Sequence, residues 1–138
     1  MLNSIAVVGG GTMGTGIAYV SALAGYPVTV VEANSDAEKR MVSTLRRTAD
    51  NAVLRGRINQ RKADELLARI SRLESVDELD RGIDLVIETV PERLGLKLDI
   101  LSKISKRSPS LIASNTSALP IGELSNSVQT LNVFGMHF

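Results

Sequence analysis

The chain has 138 residues, a formal net charge of +1 and no cysteine, and 43% of its residues are hydrophobic. This length and composition suit one globular domain with its own core. The net charge does not indicate a polyanionic partner, and an aromatic content of 3% without tryptophan disfavours stacking platforms for single-stranded nucleic acid. No apolar run approaches the roughly 20 residues of a membrane-spanning helix. The first predicted strand begins close to Met1, so we expect no signal peptide. Together with the composition, this predicts a cytoplasmic location and no membrane or nucleic-acid partner.

A short apolar run, Ile5–Val8, leads into a glycine cluster, Gly9–Gly14, and a helical pattern follows. Strand, tight turn and helix in that order are what a dinucleotide pyrophosphate needs. Gly9 permits the turn, Gly11 lets the backbone approach phosphate oxygens, and Gly14 lets the helix lie close to the strand. Thr12 and Met13 lie within the same turn, where free N–H groups at the helix start face the anion. Alone, this pattern is a weak signal, because glycine clusters occur in many turns.

A second predicted strand, Val28–Val31, is β-branched throughout and ends at Glu32. An acidic residue about 20 positions beyond the glycines is the second half of the dinucleotide fingerprint. The Glu32 carboxylate can accept both ribose hydroxyls and would repel a 2′-phosphate, which favours NAD over NADP. The alternative is an exposed acid at a strand end.

Two helices are predicted between the second and third strands, from Ala37 to Val53 and from Gln60 to Ser71, after a capping cluster at Asn34–Asp36. They carry many lysines and arginines. One interpretation is a solvated amphipathic face, and the other is an arm that contacts a phosphate-bearing substrate. The sequence leaves both open.

Four more strands and two helices complete the pattern. We predict strands at 70–74, 84–88, 111–113 and 132–136, a helix at 94–106 and a short helix at 120–124. The longer helix has Leu94, Leu98, Leu101 and Ile104 on one face. Strands alternating with helices predict an α/β fold with a doubly wound, mostly parallel sheet and a helical pair inserted after strand 2. Ligands of such sheets bind beyond the carboxyl ends of the strands.

The polar residues that follow the strands suggest hydride transfer at a hydroxyl-bearing carbon. His137 is the only histidine, and it could take the hydroxyl proton. Ser117 could donate a hydrogen bond to the same oxygen. Lys97 could neutralise phosphate or hold the nicotinamide ribose, and Glu88 is expected to be a structural hydrogen-bond acceptor. The alternatives are a structural histidine, a turn serine and a helix-surface lysine.

One histidine, no cysteine and dispersed acids give no metal-ligand cluster, so no metal is expected.

The motifs, in their order along nearly the whole chain, resemble the N-terminal domain of the L-3-hydroxyacyl-CoA dehydrogenases. The resemblance rests on four segments: Ile5–Ala18, Asp84–Glu92 with Lys97, Ser114–Leu119, and Gly135–Phe138. It implies a Rossmann-type fold and oxidation of a 3-hydroxyacyl-CoA to the 3-ketoacyl-CoA with NAD. The basic helical pair mildly favours this CoA substrate over a non-CoA 3-hydroxy acid. A non-catalytic NAD-binding module is the third alternative, which the presence of Ser117 and His137 disfavours.

The resemblance also implies residue roles. His137 would be the general base, Ser117 would contact the reacting oxygen, and Glu32 would hold the adenosine ribose. Glu92, Lys97 and Asn115 would lie along the cofactor, and Thr48 and Arg55 would contact the CoA nucleotide.

Two departures from the family pattern concern the segments that follow Phe138. The family continues to a glutamate that pairs with the histidine and to a helical C-terminal domain that completes the acyl site and forms a homodimer. We therefore expect residues 1–138 to form one NAD-binding Rossmann domain, without the C-terminal domain, and to show little or no turnover alone.

Overall fold

The computed structural model describes residues 1–117, 120–127 and 133–138. Its strands are β1 (Ile5–Val8), β2 (Val28–Val31), β3 (Ile70–Leu73), β4 (Leu85–Glu88), β5 (Leu111–Ser114) and β6 (Val133–Gly135). Its α-helices are α1 (Thr12–Leu23), α2 (Ser35–Leu54), α3 (Gln60–Ala68), α4 (Leu94–Ser105) and α5 (Ile121–Ser127), and a 3₁₀ turn covers Val76–Glu78.

The six strands form one sheet in the order β3-β2-β1-β4-β5-β6, and every neighbouring pair is parallel. All carboxyl ends therefore lie at one edge. The strand order reverses between β1 and β4, and this switch point is where ligands of doubly wound sheets bind. The expected Rossmann-type fold, with the helical pair α2–α3 after β2, is confirmed.

The sheet separates two apolar cores because alternate side chains of each strand point to opposite faces. In β1, Ile5 and Val7 pack with α1, α2 and α3. Ala6 and Val8 pack on the other face with α4 and α5. The central strands β1 and β4 are buried on both sides, which explains the apolar runs Ile5–Val8 and 85–87.

The element bounds differ from the predictions at a few ends. The helix predicted over 60–71 ends at Ala68, because residues 70–73 pair with β2 as strand β3. The predicted apolar face of α4 is also wrong in part: Leu94 is exposed, and the buried face consists of Lys97, Leu101 and Ile104. The predicted start of the sixth strand at 132 and residues 118–119 of the serine-rich motif lie outside the described residues.

At the amino-terminal edge of the sheet, the Asp84 carboxylate joins β4 to the chain start. It accepts hydrogen bonds from the backbone N–H of Asn3 at 2.6 Å and of Ser4 at 3.0 Å. These bonds, the first foremost, lower the pKa of Asp84 from its ordinary value. The contact anchors the edge opposite the candidate site.

Candidate dinucleotide and hydride-transfer site

The turn between β1 and α1 has the geometry that its glycines predict. Gly9 has φ +111°, a backbone conformation that L side chains rarely adopt. A Cβ on Gly14 would lie 1.9 Å from the carbonyl oxygen of Gly9, so only glycine lets the helix start this close to the strand. A Cβ on Gly11 would meet no atom within 4 Å, because this residue faces an open cleft.

The N-terminus of α1 is available to an anion. Gly11 caps the helix without a side-chain hydrogen bond, and the first turn has no acidic residue. The first N–H groups of a helix lack intrahelical acceptors and carry a partial positive charge. A phosphate group bound at this turn would satisfy them.

Glu32 follows β2, and its carboxylate bridges two backbone N–H groups. Oε2 accepts from Gly10 at 2.8 Å, and Oε1 accepts from Asn34 at 2.9 Å. A carboxylate has about four lone-pair positions, so two acceptor positions are left for hydroxyl groups. The side chain is therefore held in place while it keeps capacity to bind a ribose.

A cleft of about 770 Å³ lies at the switch point, between the ends of β1, β2 and β4. Gly9, Gly11, Thr12, Met13 and Glu32 all line it, so the structure brings these five predicted cofactor residues together. The sequence did not predict the other lining residues as cofactor contacts. They include Asn34, Val76, Val90, Arg93, Leu96, Ile100 and Lys103. The apolar members of this set offer a surface for a flat ring, and the cleft fits a dinucleotide.

Lys97 does not line that cleft. Its side chain is fully buried, and its ammonium group lies 2.8 Å from Oε1 of Glu88 and 3.1 Å from Oε2. The alternative interpretation as a helix-surface lysine is wrong. A signal was present in the sequence, because Lys97, Leu101 and Ile104 share one helical face.

Glu88, the last residue of β4, is the structural acceptor that the sequence predicts. Its side chain is fully buried and accepts hydrogen bonds from the backbone N–H of Val90 at 2.7 Å and from Oγ of Ser114 at 2.5 Å. Glu92, in the loop after β4, accepts a hydrogen bond from the hydroxyl of Thr116 in the loop after β5. Its other carboxylate oxygen lies 3.8 Å from the ammonium group of Lys97.

Ser117 and His137 follow neighbouring strands. Ser114 of β5 pairs with Gly135 of β6, and the backbone N–H of Met136 donates to the carbonyl oxygen of Ser114 at 3.1 Å. Both candidate catalytic side chains are exposed, and Asn115, the first residue after β5, is half-buried. The register places them at the sheet edge that also carries the glycine turn.

Two further clefts run along α1 and α2. One, of about 630 Å³, starts at the glycine turn and includes Arg40 and Arg47. The other, of about 380 Å³, includes Arg55 and Arg57. Tyr19 and Thr48 line both, so the two clefts are continuous. Thr48 and Arg55, the predicted CoA contacts, therefore share one groove.

Comparison with known proteins supports this interpretation of the motifs. Residues 4–138 match the model of the family described as "3-hydroxyacyl-CoA dehydrogenase, NAD binding domain". The chain belongs to this family. Its cofactor is therefore NAD, as the glycine turn and Glu32 predict.

Individual relatives agree with this assignment. A curated Bacillus subtilis protein, "Probable 3-hydroxybutyryl-CoA dehydrogenase", is 30% identical over 99% of this chain and 48% of its own length. The structure of (S)-3-hydroxybutyryl-CoA dehydrogenase PaaH1 from Ralstonia eutropha matches with a TM-score of 0.93 and 33% identity, over 100% of this chain and 50% of that one. FadB2 from M. tuberculosis matches with the same TM-score and identity, over 99% and 49%.

This member of the dehydrogenase family spans about half the length of these relatives. Among the residues that the structure describes, no helix is both long and apolar enough to cross a membrane.

Proposed function

We propose that this NAD-binding domain serves an enzyme of fatty-acid metabolism that interconverts 3-hydroxyacyl-CoA and 3-ketoacyl-CoA. The observation that carries the proposal is the pairing of β5 with β6, because it puts the loops of Ser117 and His137 side by side at the cofactor edge. A module that only bound NAD would have no use for a base and a hydroxyl donor there.

The residues of this chain have separate roles in the proposed reaction. The α1 N-terminus holds the pyrophosphate, and Glu32 holds the adenosine ribose. We assign Glu92 to the nicotinamide ribose, with Asn115 beside it, and the contact of Glu92 with Thr116, the neighbour of Ser117, supports this assignment. When bound, NAD supplies the hydride acceptor. The His137 imidazole takes the proton of the substrate hydroxyl, and Ser117 donates a hydrogen bond to the same oxygen.

The groove along α1 and α2 supports a CoA substrate. Arg40, Arg47, Arg55 and Arg57 line its two clefts, and guanidinium groups suit phosphate oxygens. Thr48 lies where the clefts meet, and its hydroxyl donates to the carbonyl oxygen of Thr44 at 2.7 Å. We assign Thr48 and Arg55 to the CoA nucleotide.

The test is a titration of the NADH-saturated chain with acetoacetyl-CoA, free CoA and acetoacetate. We expect both CoA compounds to bind and acetoacetate not to bind. Arg55→Met should lower the affinity for both CoA compounds about tenfold, which is in the range expected for the loss of a hydrogen bond to a charged group. Arg61→Met is the matched control, because Arg61 pairs with Glu65 on the exposed side of α3. Binding of acetoacetate without CoA would favour a dehydrogenase of a non-CoA 3-hydroxy acid.

Two further assignments belong to the proposal. The absence of cysteine from the sequence supports a cytoplasmic location. A homodimer formed through a helical C-terminal domain, which the family resemblance implies, remains a prediction.

A further inference from the structure

A buried polar cluster lies beneath the loops that follow β4 and β5. Glu88, Lys97 and Ser114 form it, and all three side chains are fully buried. We call it the buried brace. Charged groups in an apolar interior cost free energy unless they are paired and hydrogen-bonded, so a cluster of this kind needs a reason.

The ammonium group of Lys97 has no capacity left for a ligand. It has three N–H donors, and three acceptors surround it: both carboxylate oxygens of Glu88 and the carbonyl oxygen of Val90 at 3.0 Å. In this structure the three donors of Lys97 are therefore all used within the chain, and through these bonds Lys97 can act on a bound molecule by way of its neighbours.

The brace connects the two loops that carry the reacting end of the site. In the loop after β4, the backbone N–H and carbonyl of Val90 bind Glu88 and Lys97. At the end of β5, the Ser114 hydroxyl and the Asn115 N–H bind the side chain and the backbone carbonyl of Glu88.

Glu92 provides a further contact between the same two loops, outside the buried brace. One of its carboxylate oxygens faces the Lys97 ammonium group at 3.8 Å, and the other accepts from Thr116. Both loops are thus fixed to one buried carboxylate and to each other.

We propose that Glu88, Lys97 and Ser114 are positioning residues that set Glu92 and the Asn115–Ser117 loop for the nicotinamide half of the cofactor. This inference rests on the proposed placement of Glu92 at the nicotinamide ribose. A buried ion pair is seldom more stabilising than apolar residues of the same volume. Its directional bonds fix an orientation that apolar packing would leave free.

The experiment compares NADH with ADP, which has the adenosine and diphosphate groups but no nicotinamide ribose. Ser114→Ala removes one bond of the brace. The double variant Glu88→Gln/Lys97→Met removes both charges together, so no unpaired charge remains buried. Ser105→Ala is the control for the first, because Ser105 also donates a bond, to the Ser102 carbonyl at the far end of α4. Arg61→Met/Glu65→Gln removes an exposed ion pair as the control for the second.

We expect Ser114→Ala and the double variant to bind NADH about fivefold to tenfold more weakly, the range of one or two lost hydrogen bonds. Both should bind ADP within about twofold of the wild-type chain. The controls should change neither affinity. If circular dichroism shows the double variant unfolded, Ser114→Ala decides the question.

Two results would contradict the inference. The first leaves the proposed function intact, and the second also contradicts the proposed placement of Glu92. If the wild-type chain binds NADH tighter than ADP and the variants keep that ratio, the brace is structural only and the proposed function stands. If the wild-type chain binds NADH no tighter than ADP, the placement of Glu92 at the nicotinamide ribose fails as well.

Discussion

The Glu32 carboxylate accepts a hydrogen bond of 2.8 Å from the backbone N–H of Gly10. This bond ties the end of β2 to the turn after β1, and a Cβ on Gly10 would come within 3.1 Å of the Glu32 side chain. The two halves of the dinucleotide fingerprint are therefore one physical unit. The residue that we propose to bind the ribose therefore also fixes the turn that we propose to hold the pyrophosphate.

Glu32→Ala should weaken NADH binding at least tenfold, because ribose hydroxyls lose a charged acceptor and the Gly10 N–H loses its partner. The affinity for NADPH should fall much less, since the 2′-phosphate no longer faces a carboxylate in the variant. Parallel fluorescence titrations with the two nucleotides measure both effects. Glu65→Ala on exposed α3 is the control, and an unchanged preference for NADH in Glu32→Ala would remove this residue from the site.

Gly14→Ala should destabilise the chain by about 3 kcal/mol, the upper range for overpacking, because its Cβ would meet the Gly9 carbonyl at 1.9 Å. Gly16→Ala is a matched control two residues along α1, where a Cβ meets no atom within 4 Å. The control should gain up to about 1 kcal/mol from helix propensity. Urea unfolding of both variants measures the difference, and equal stabilities would contradict the close strand–helix packing.

Much of the fold can be predicted from the sequence, because the apolar strand segments and the spacing from the turn glycines to Glu32 indicate the same architecture. Ile5–Val8 is apolar on both faces and Val28–Val31 is β-branched throughout, which indicates buried parallel strands. The turn glycines and the spacing to Glu32 identify the ligand before any contact is known. The mismatch at residues 70–71 arises because apolar periodicity in a short segment fits a helix end and a strand equally well.

The brace could not be predicted in the same way. Glu88 and Ser114 lie on different strands, and only the parallel register of β4 with β5 places them opposite each other. A lysine in a helical pattern is usually exposed, so the sequence favours a surface position or a ligand contact for Lys97. Helical spacing does place Lys97 on the same face as Leu101 and Ile104. It does not reveal the partner carboxylate of Glu88, nine residues earlier in the chain, on which the burial of a charged lysine depends.

Asp84→Asn should reduce the sensitivity of the fold to acid. The N–H groups of Asn3 and Ser4 lower the pKa of Asp84, so its charge stabilises the folded chain at any pH above the ordinary aspartate value near 4. That contribution is lost as the pH falls below about 4, through the lowered pKa of the folded state. Urea unfolding between about pH 7 and pH 3 should show a smaller decline for Asp84→Asn than for wild type. Asp50→Asn, exposed on α2, is the control, and identical declines in all three chains would contradict the assignment.

His137→Ala should leave NADH affinity within about twofold of wild type, because the proposed role of this exposed imidazole is a contact with the substrate hydroxyl and not with the cofactor. In the NADH-saturated chain, acetoacetyl-CoA should bind about fivefold more weakly, which corresponds to roughly 1 kcal/mol for one hydrogen bond to the substrate oxygen. Calorimetric titration with each ligand measures the two affinities separately. A large loss of NADH binding would assign His137 to the cofactor, and unchanged binding of both ligands would exclude it from ground-state contact with the substrate.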